Sequence, residues 1–276
     1  MQAHSNTVAI PSAPATRRRV DAGVDRPAGG RPLKQLGVGR IAAVWAAAAI
    51  PMGVLSWVVA PRIADQLSGS GALARGMIIA LTAGLVWQFV LVMTLVAREQ
   101  GTLRWSVLKE ALRIQRPESP RSGRRGGRVW LVLVPFILAA AAVQMLPGAP
   151  IPASRDMGEF LSSTGGQEFM SGAWGWFALM VTMWIFNTVL GEELLFRGYL
   201  LPRMSGTFGE RDWVANGVIF AVYHLHVPWA MTGSLLTGFL YAKSSKRYRS
   251  TLMGIAIHSA ESVFFTVLVL GVVLKG

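Results

Sequence analysis

The chain has no cysteine among its 276 residues. Disulfides, cysteine-ligated zinc and a thiol nucleophile are excluded together. Charge is scarce as well: Asp, Glu, Lys and Arg supply 15% of the residues, against about 25% in an ordinary globular domain. Hydrophobic residues take their place, at 52% of the chain, and the mean hydropathy is +0.43. Length alone would fit one large soluble domain or two small ones; this composition points instead to an integral membrane protein. Acidic residues are the rarer sign, 14 against 27 Lys and Arg, for a net charge of +13. That balance fits either nucleic acid or an anionic lipid surface, and its distribution along the chain decides between them.

Residues 1–40 are rich in Ala, Pro, Gly and Arg, with Arg17, Arg18 and Arg19 in a run and no apolar periodicity. They read as a disordered basic tail, and the long apolar stretch that follows argues against a cleaved signal peptide. Apolar stretches of spanning length then cover about 41–60, 76–97, 129–146 and 173–201, each near the 20 residues needed to cross the hydrocarbon. Three more cover about 214–227, 229–242 and 251–274. The fifth and sixth are short and meet near Pro228, as a tight helical pair that does not fully span would. The expectation is an all-α polytopic bundle of about seven transmembrane helices. Its parts are a tail (1–40), N-terminal helices with a basic loop (41–172) and a helical core (173–276).

Basic residues alternate sides. The tail holds seven Arg or Lys against two Asp, and residues 98–128 hold nine basic against three acidic. Lys243, Lys246, Arg247 and Arg249 fall on the same side, while residues 148–172 carry Arg155 against Asp156, Glu159 and Glu168. The positive-inside rule then puts the N-terminus in the cytoplasm. The charge reads as topology and contact with an anionic lipid surface, and no nucleic-acid partner is expected, since no folded basic module is evident. Leu103, Val107, Ala111 and Ile114 recur at helical spacing among basic residues, with Trp105 as an aromatic anchor; this fits an interfacial helix on the cytoplasmic leaflet. Trp45, Trp57, Trp87, Trp174, Trp176 and Trp184 read as interfacial or packing residues.

Three ionisable groups interrupt the fourth stretch in Gly191-Glu192-Glu193-Leu194-Leu195-Phe196-Arg197. Charges cost about 2.5 to 3.5 kcal/mol at a helix centre and mark functional sites by default. Glu193 and Arg197 stand at i and i+4, the favourable order for an ion pair. Glu192 is left without a local counter-ion. His224 follows Phe220 by four, and His258 precedes Glu261 and Ser262 by three and four. Counted at about 1.5 Å per residue from flanking charges, Glu192, His224 and His258 lie roughly 14 to 18 Å below the basic surface and could meet in one layer. His226 is expected on the opposite helix face, in a structural role. A carboxylate and two imidazoles can activate water by general-base catalysis and hold an oxyanion, or can bind a divalent ion. Other designs for proteolysis within a membrane are missing: there is no His-Glu-x-x-His, no Gly-x-Gly-Asp and no Gly-x-Ser-Gly, since Arg203 precedes Met204-Ser205-Gly206 where the first glycine would stand.

Glu192-Glu193-x-x-x-Arg197, Phe220-x-x-x-His224 and His258 on a later helix resemble the CPBP family of intramembrane proteases, the CAAX protease and bacteriocin-processing (Abi) family that includes the type II CAAX prenyl endopeptidase. The resemblance covers about the last hundred residues. It implies an endopeptidase acting on a peptide or membrane-protein substrate in or near the membrane, with Glu192 as base, His224 as its partner on the attacking water and His258 facing the oxyanion. It also implies that Glu193, Arg197, Phe220 and Ser262 are supporting residues. The family usually has Asn where this chain has Ser262, which can donate a hydrogen bond but reaches less far. Family members have been described both as metalloproteases and as metal-free glutamate proteases. The cofactor is therefore none or a divalent metal such as zinc, which Glu192, His224 and His258 would hold. Abundant Ala, Gly, Val and Arg suit a bacterial plasma membrane. The alternatives are a non-catalytic scaffold or bacteriocin self-immunity protein of the same family, favoured by Ser262, and a proton-coupled transporter, disfavoured because no internal repeat is seen.

Overall fold

A computed structural model describes residues 30–275; of the tail expected over residues 1–40, residues 1–29 lie outside them. The described chain is all-helical, with one isolated bridge between Glu118 and Arg125. Eight helices carry the architecture: α1 (Val38–Ala64), α2 (Ala72–Gln100), α3 (Trp105–Ala111), α4 (Gly127–Gln144), α5 (Trp174–Arg203), α6 (Asp212–Tyr223), α7 (Met231–Arg247) and α8 (Thr251–Val273). Among the described residues five of these, α1, α2, α4, α5 and α8, are long and apolar enough to cross a membrane. The count of about seven crossings is not confirmed by these five. The fifth and sixth apolar stretches form α6 and α7, of 12 and 17 residues, the first below spanning length and the second at its lower bound, packed on each other.

Where no water is available, every backbone group needs a protein partner, and α1 shows how this is met. Pro51 lacks an N–H, so the carbonyl of Ala47 is released from the helical ladder; the Trp87 indole donates to it at 2.9 Å. The helix widens to i→i+5 bonding over Leu55–Val59 before resuming. Glycine lets α2 approach closely: a Cβ on Gly76 would stand 2.5 Å from the Ala60 carbonyl oxygen. Small residues at such crossings replace the hydrophobic drive that lipid removes. The periphery is apolar, with Leu131, Val134 and Leu138 of α4 and Val263, Phe264 and Val267 of α8 all exposed.

The basic end is closed by a buried ion pair. Arg203 is fully buried and holds Glu99 at 2.5 Å while donating to the carbonyls of Tyr199 and Ala111. Residues 31–36, assigned to the tail on composition, run extended across it in the structure. Lys34 N–H donates to Glu99 at 3.0 Å, Leu36 N–H to the Arg203 carbonyl at 2.9 Å, and Leu33 and Leu36 are buried. Helix α3 covers only seven residues of the interfacial stretch. Val107 and Ala111 turn into the bundle, while Leu103 and Trp105 stay exposed.

Candidate active site

Helix α5 is irregular where its charges lie. Wide i→i+5 turns run over Phe186–Gly191 and Leu194–Leu200, on either side of Glu192 and Glu193. Such turns cluster at functional sites because they re-aim side chains within a helix. Gly191 brings α5 against α2: a Cβ there would lie 3.3 Å from the Leu85 carbonyl and 3.5 Å from Gln88 Oε1. Glu192 is thereby buried beside α2 and α6 and accepts a hydrogen bond from the Tyr223 hydroxyl, which in turn accepts one from Gln88 Nε2. Glu192 Oε2 is buried with no hydrogen-bond partner in the protein.

Glu193 points to the other side of the same turn. Its Oε1 accepts from Arg197 at 3.0 Å and from His258 Nδ1 at 3.1 Å. Both ends of the Arg197–Glu193 pair are fully buried, and Arg197 also donates to the Gly238 carbonyl of α7 at 3.2 Å. Its guanidinium lies 4.1 Å from the centre of the Phe220 ring, a cation–π contact that a dry site strengthens. Gly254 makes room for this pair: a Cβ there would stand 2.2 Å from Glu193 Oε2. Gly254→Ala is therefore expected to destabilise the protein by about 1 to 3 kcal/mol, read as a lowered thermal midpoint in detergent. An unchanged midpoint would contradict the close approach.

Helix α6 supplies the remaining groups. Phe220 packs edge-on against His224 at 4.8 Å and against His258 at 6.2 Å, so its ring sits between the two imidazoles. His224 Nδ1 faces the Phe220 carbonyl at 2.8 Å, which fixes Nδ1 as the protonated nitrogen and leaves Nε2 as an acceptor in the neutral ring. His258 stacks on Tyr241 at 4.8 Å. Glu192 lies within electrostatic reach of His258, Glu193 and Arg197, and His224 within reach of His258. The structure thus gathers Glu192, Glu193, Arg197, Phe220, His224 and His258 into one locus. Ser262 is half-buried one turn beyond His258, while Glu261 lies near both Tyr241 and His258.

His226 departs from its expected place. Helix α6 stops at Tyr223, and residues 224–226 form a tighter 3-10 turn. The two imidazoles consequently stack at 5.5 Å instead of facing opposite sides. The cause is Pro228, which disfavours helical backbone in the residue before it; Val227 accordingly leaves the helical region, with φ −142° and ψ 70°. Donors on α1 satisfy the carbonyls so exposed: Trp45 bonds Ile219, Ser56 bonds His226 and Trp57 bonds Leu225.

Among the described residues no three His, Asp or Glu side chains are disposed to hold a metal ion. Glu192, His224 and His258, the set a divalent ion would take, do not fit one in this arrangement.

The locus combines a buried carboxylate, a second carboxylate bridging Arg and His, and a further imidazole across an aromatic ring. Residues 174–264, about a third of the chain, are similar to the Rce1-like family model, described as type II CAAX prenyl endopeptidase Rce1-like, a match that supports the CPBP/CAAX protease resemblance over that part. No curated protein and no solved structure matches the chain. The match spans α5, α6, α7 and most of α8. It leaves out α2, and with it Gln88.

Proposed function

We propose that the chain is an intramembrane endopeptidase in which Glu192 and His224 activate a water molecule for attack on a peptide bond. The observation that carries this reading is the buried, unpartnered Glu192 Oε2 in the locus of the His258 imidazole, with His224 across the Phe220 ring from His258. An unsatisfied buried carboxylate oxygen costs free energy unless a ligand or water meets it, and a water held there can give one hydrogen bond to Glu192 and one to His224 Nε2. In the reaction the water's proton passes to Glu192 as its oxygen bonds to the carbonyl carbon. The carbon–nitrogen bond then breaks, and the same proton goes to the departing amine. His258, held at Nδ1 by Glu193, presents Nε2 toward the site, and in its doubly protonated form donates to the oxyanion. Arg197 and Glu193 position that ring.

An apolar recess of about 460 Å3 lies one to two helical turns from the site, with Leu81, Met183, Trp184, Val227 and Phe265 on its walls. It suits an apolar flank of a membrane-borne substrate. Composition and the basic loops at one end support a bacterial plasma membrane with the N-terminus cytoplasmic.

The test is the set of new protein N-termini in membranes of cells carrying the protein. With His224→Ala those termini are expected to disappear; their persistence at wild-type abundance would remove His224 from the mechanism. Tyr223→Phe withdraws the hydroxyl that orients Glu192 and is expected to slow cleavage about tenfold, at a stability cost of about 1 kcal/mol. Cleavage unchanged in this variant would show that the Gln88–Tyr223–Glu192 chain does not orient the base.

A further inference from the structure

The basic end carries a second recess, apart from the acid–histidine cluster. Before α4 the chain turns back on itself: Ser119 N–H donates to the Arg124 carbonyl at 2.8 Å and Gly126 N–H to that of Pro117 at 2.9 Å. Gly123, Gly126 and Gly127 take positive φ of 65°, 70° and 56°, which a side chain would oppose. Glu118 N–H pins the turn to the Tyr248 carbonyl at 2.9 Å. This turn, the end of α7 and the first residues of α4 enclose a recess of about 800 Å3. Arg121, Arg124, Arg125, Arg128 and Arg247 line it, with Val129 and Val132 on the α4 side.

Arg125 pairs with Glu118 at 2.9 Å. Among the described residues Arg121, Arg124, Arg128 and Arg247 form no ion pair. Like charges gathered on a built turn repel one another unless an anion lies between them, and guanidinium forks match phosphate oxygens in two-point geometry. The apolar wall runs on into Leu131 and Val134, which are 65% and 55% exposed at the start of a spanning helix. A ligand that fits has a phosphate at one end and hydrocarbon at the other. We propose that this recess binds the headgroup of a single anionic phospholipid, with its acyl chains laid along the first turns of α4. The site is discrete, unlike the general attraction of a basic loop to a charged leaflet, and it stands independently of the hydrolytic reading.

The experiment uses full-length protein in a neutral detergent, with retained lipids counted by native mass spectrometry. The probes are phosphatidylglycerol, phosphatidylcholine and inorganic phosphate. One phosphatidylglycerol per chain is expected, bound at least about tenfold more tightly than phosphatidylcholine and not displaced by millimolar phosphate. Arg121→Gln/Arg124→Gln/Arg128→Gln is expected to weaken retention roughly tenfold to a hundredfold; these side chains are exposed, so the fold is kept. Arg104→Gln/Lys109→Gln/Lys243→Gln removes the same charge from elsewhere on that end and is expected to change nothing. Equal loss in this control would overturn the discrete site. Equal retention of phosphatidylcholine, or displacement by phosphate alone, would overturn the lipid assignment.

Discussion

Arg197→Met is expected to cost about 3 to 5 kcal/mol of stability, the largest loss from any single change considered for this chain. The guanidinium is fully buried, as is Glu193, whose Oε1 it meets at 3.0 Å. Removing it strands a carboxylate in a dry core, where only the His258 Nδ1 contact remains. The Gly238 carbonyl loses its donor too. Thermal unfolding in detergent reads the effect, and a loss under about 1 kcal/mol would mean that the pair is hydrated or redundant. The double variant Glu193→Gln/Arg197→Met separates structure from chemistry. Deleting both charges is expected to restore much of the stability, because a neutral pair of similar volume leaves no uncompensated charge. Activity should stay low, because His258 has then lost the carboxylate that orients it.

Glu192→Gln is expected to leave the fold intact and lower cleavage by at least about a thousandfold. The amide keeps the shape of the carboxylate and can still accept the Tyr223 hydrogen bond, but it cannot take a proton from water. General-base catalysis typically contributes about 10² to 10⁴ in rate, and here the same group also returns the proton to the leaving amine. The two variants therefore differ in kind: Arg197→Met falls in stability and activity together, Glu192→Gln in activity alone.

The charged and imidazole members of the locus were legible in the sequence because they are anomalies there. Glu192, Glu193, Arg197, His224 and His258 interrupt apolar stretches, and the cost of placing them in hydrocarbon demands a reason. Convergence was harder to read, since a side chain's direction depends on helix winding. The wide turns on α5 have no sequence marker, and the end of α6 at Tyr223 was masked by apolar residues that continue to Val227, although Pro228 gave the signal. Gln88 was legible in principle, as a lone amide in an apolar stretch of α2, and Tyr223 as the neighbour of His224. Gly254 gave a weaker signal, one helical turn before His258. The shortness of α6 and α7 and their meeting near Pro228 were legible from the two short apolar stretches of the sequence. The extended segment over residues 31–36 was hidden because Leu33 and Leu36 are too few to make a period, and its hold on Glu99 and Arg203 is made largely by backbone N–H groups.

The central claim, that Glu192 activates water for peptide hydrolysis, is tested most directly by a quantitative survey of protein N-termini in host membranes. Cells carrying the wild type are compared with cells carrying Glu192→Gln at matched expression. The account predicts that one or a few termini present with the wild type vanish with the variant, which would also name the substrate. Identical termini in both, with any wild-type phenotype retained by the variant, would contradict it and leave a non-catalytic membrane role as the better reading.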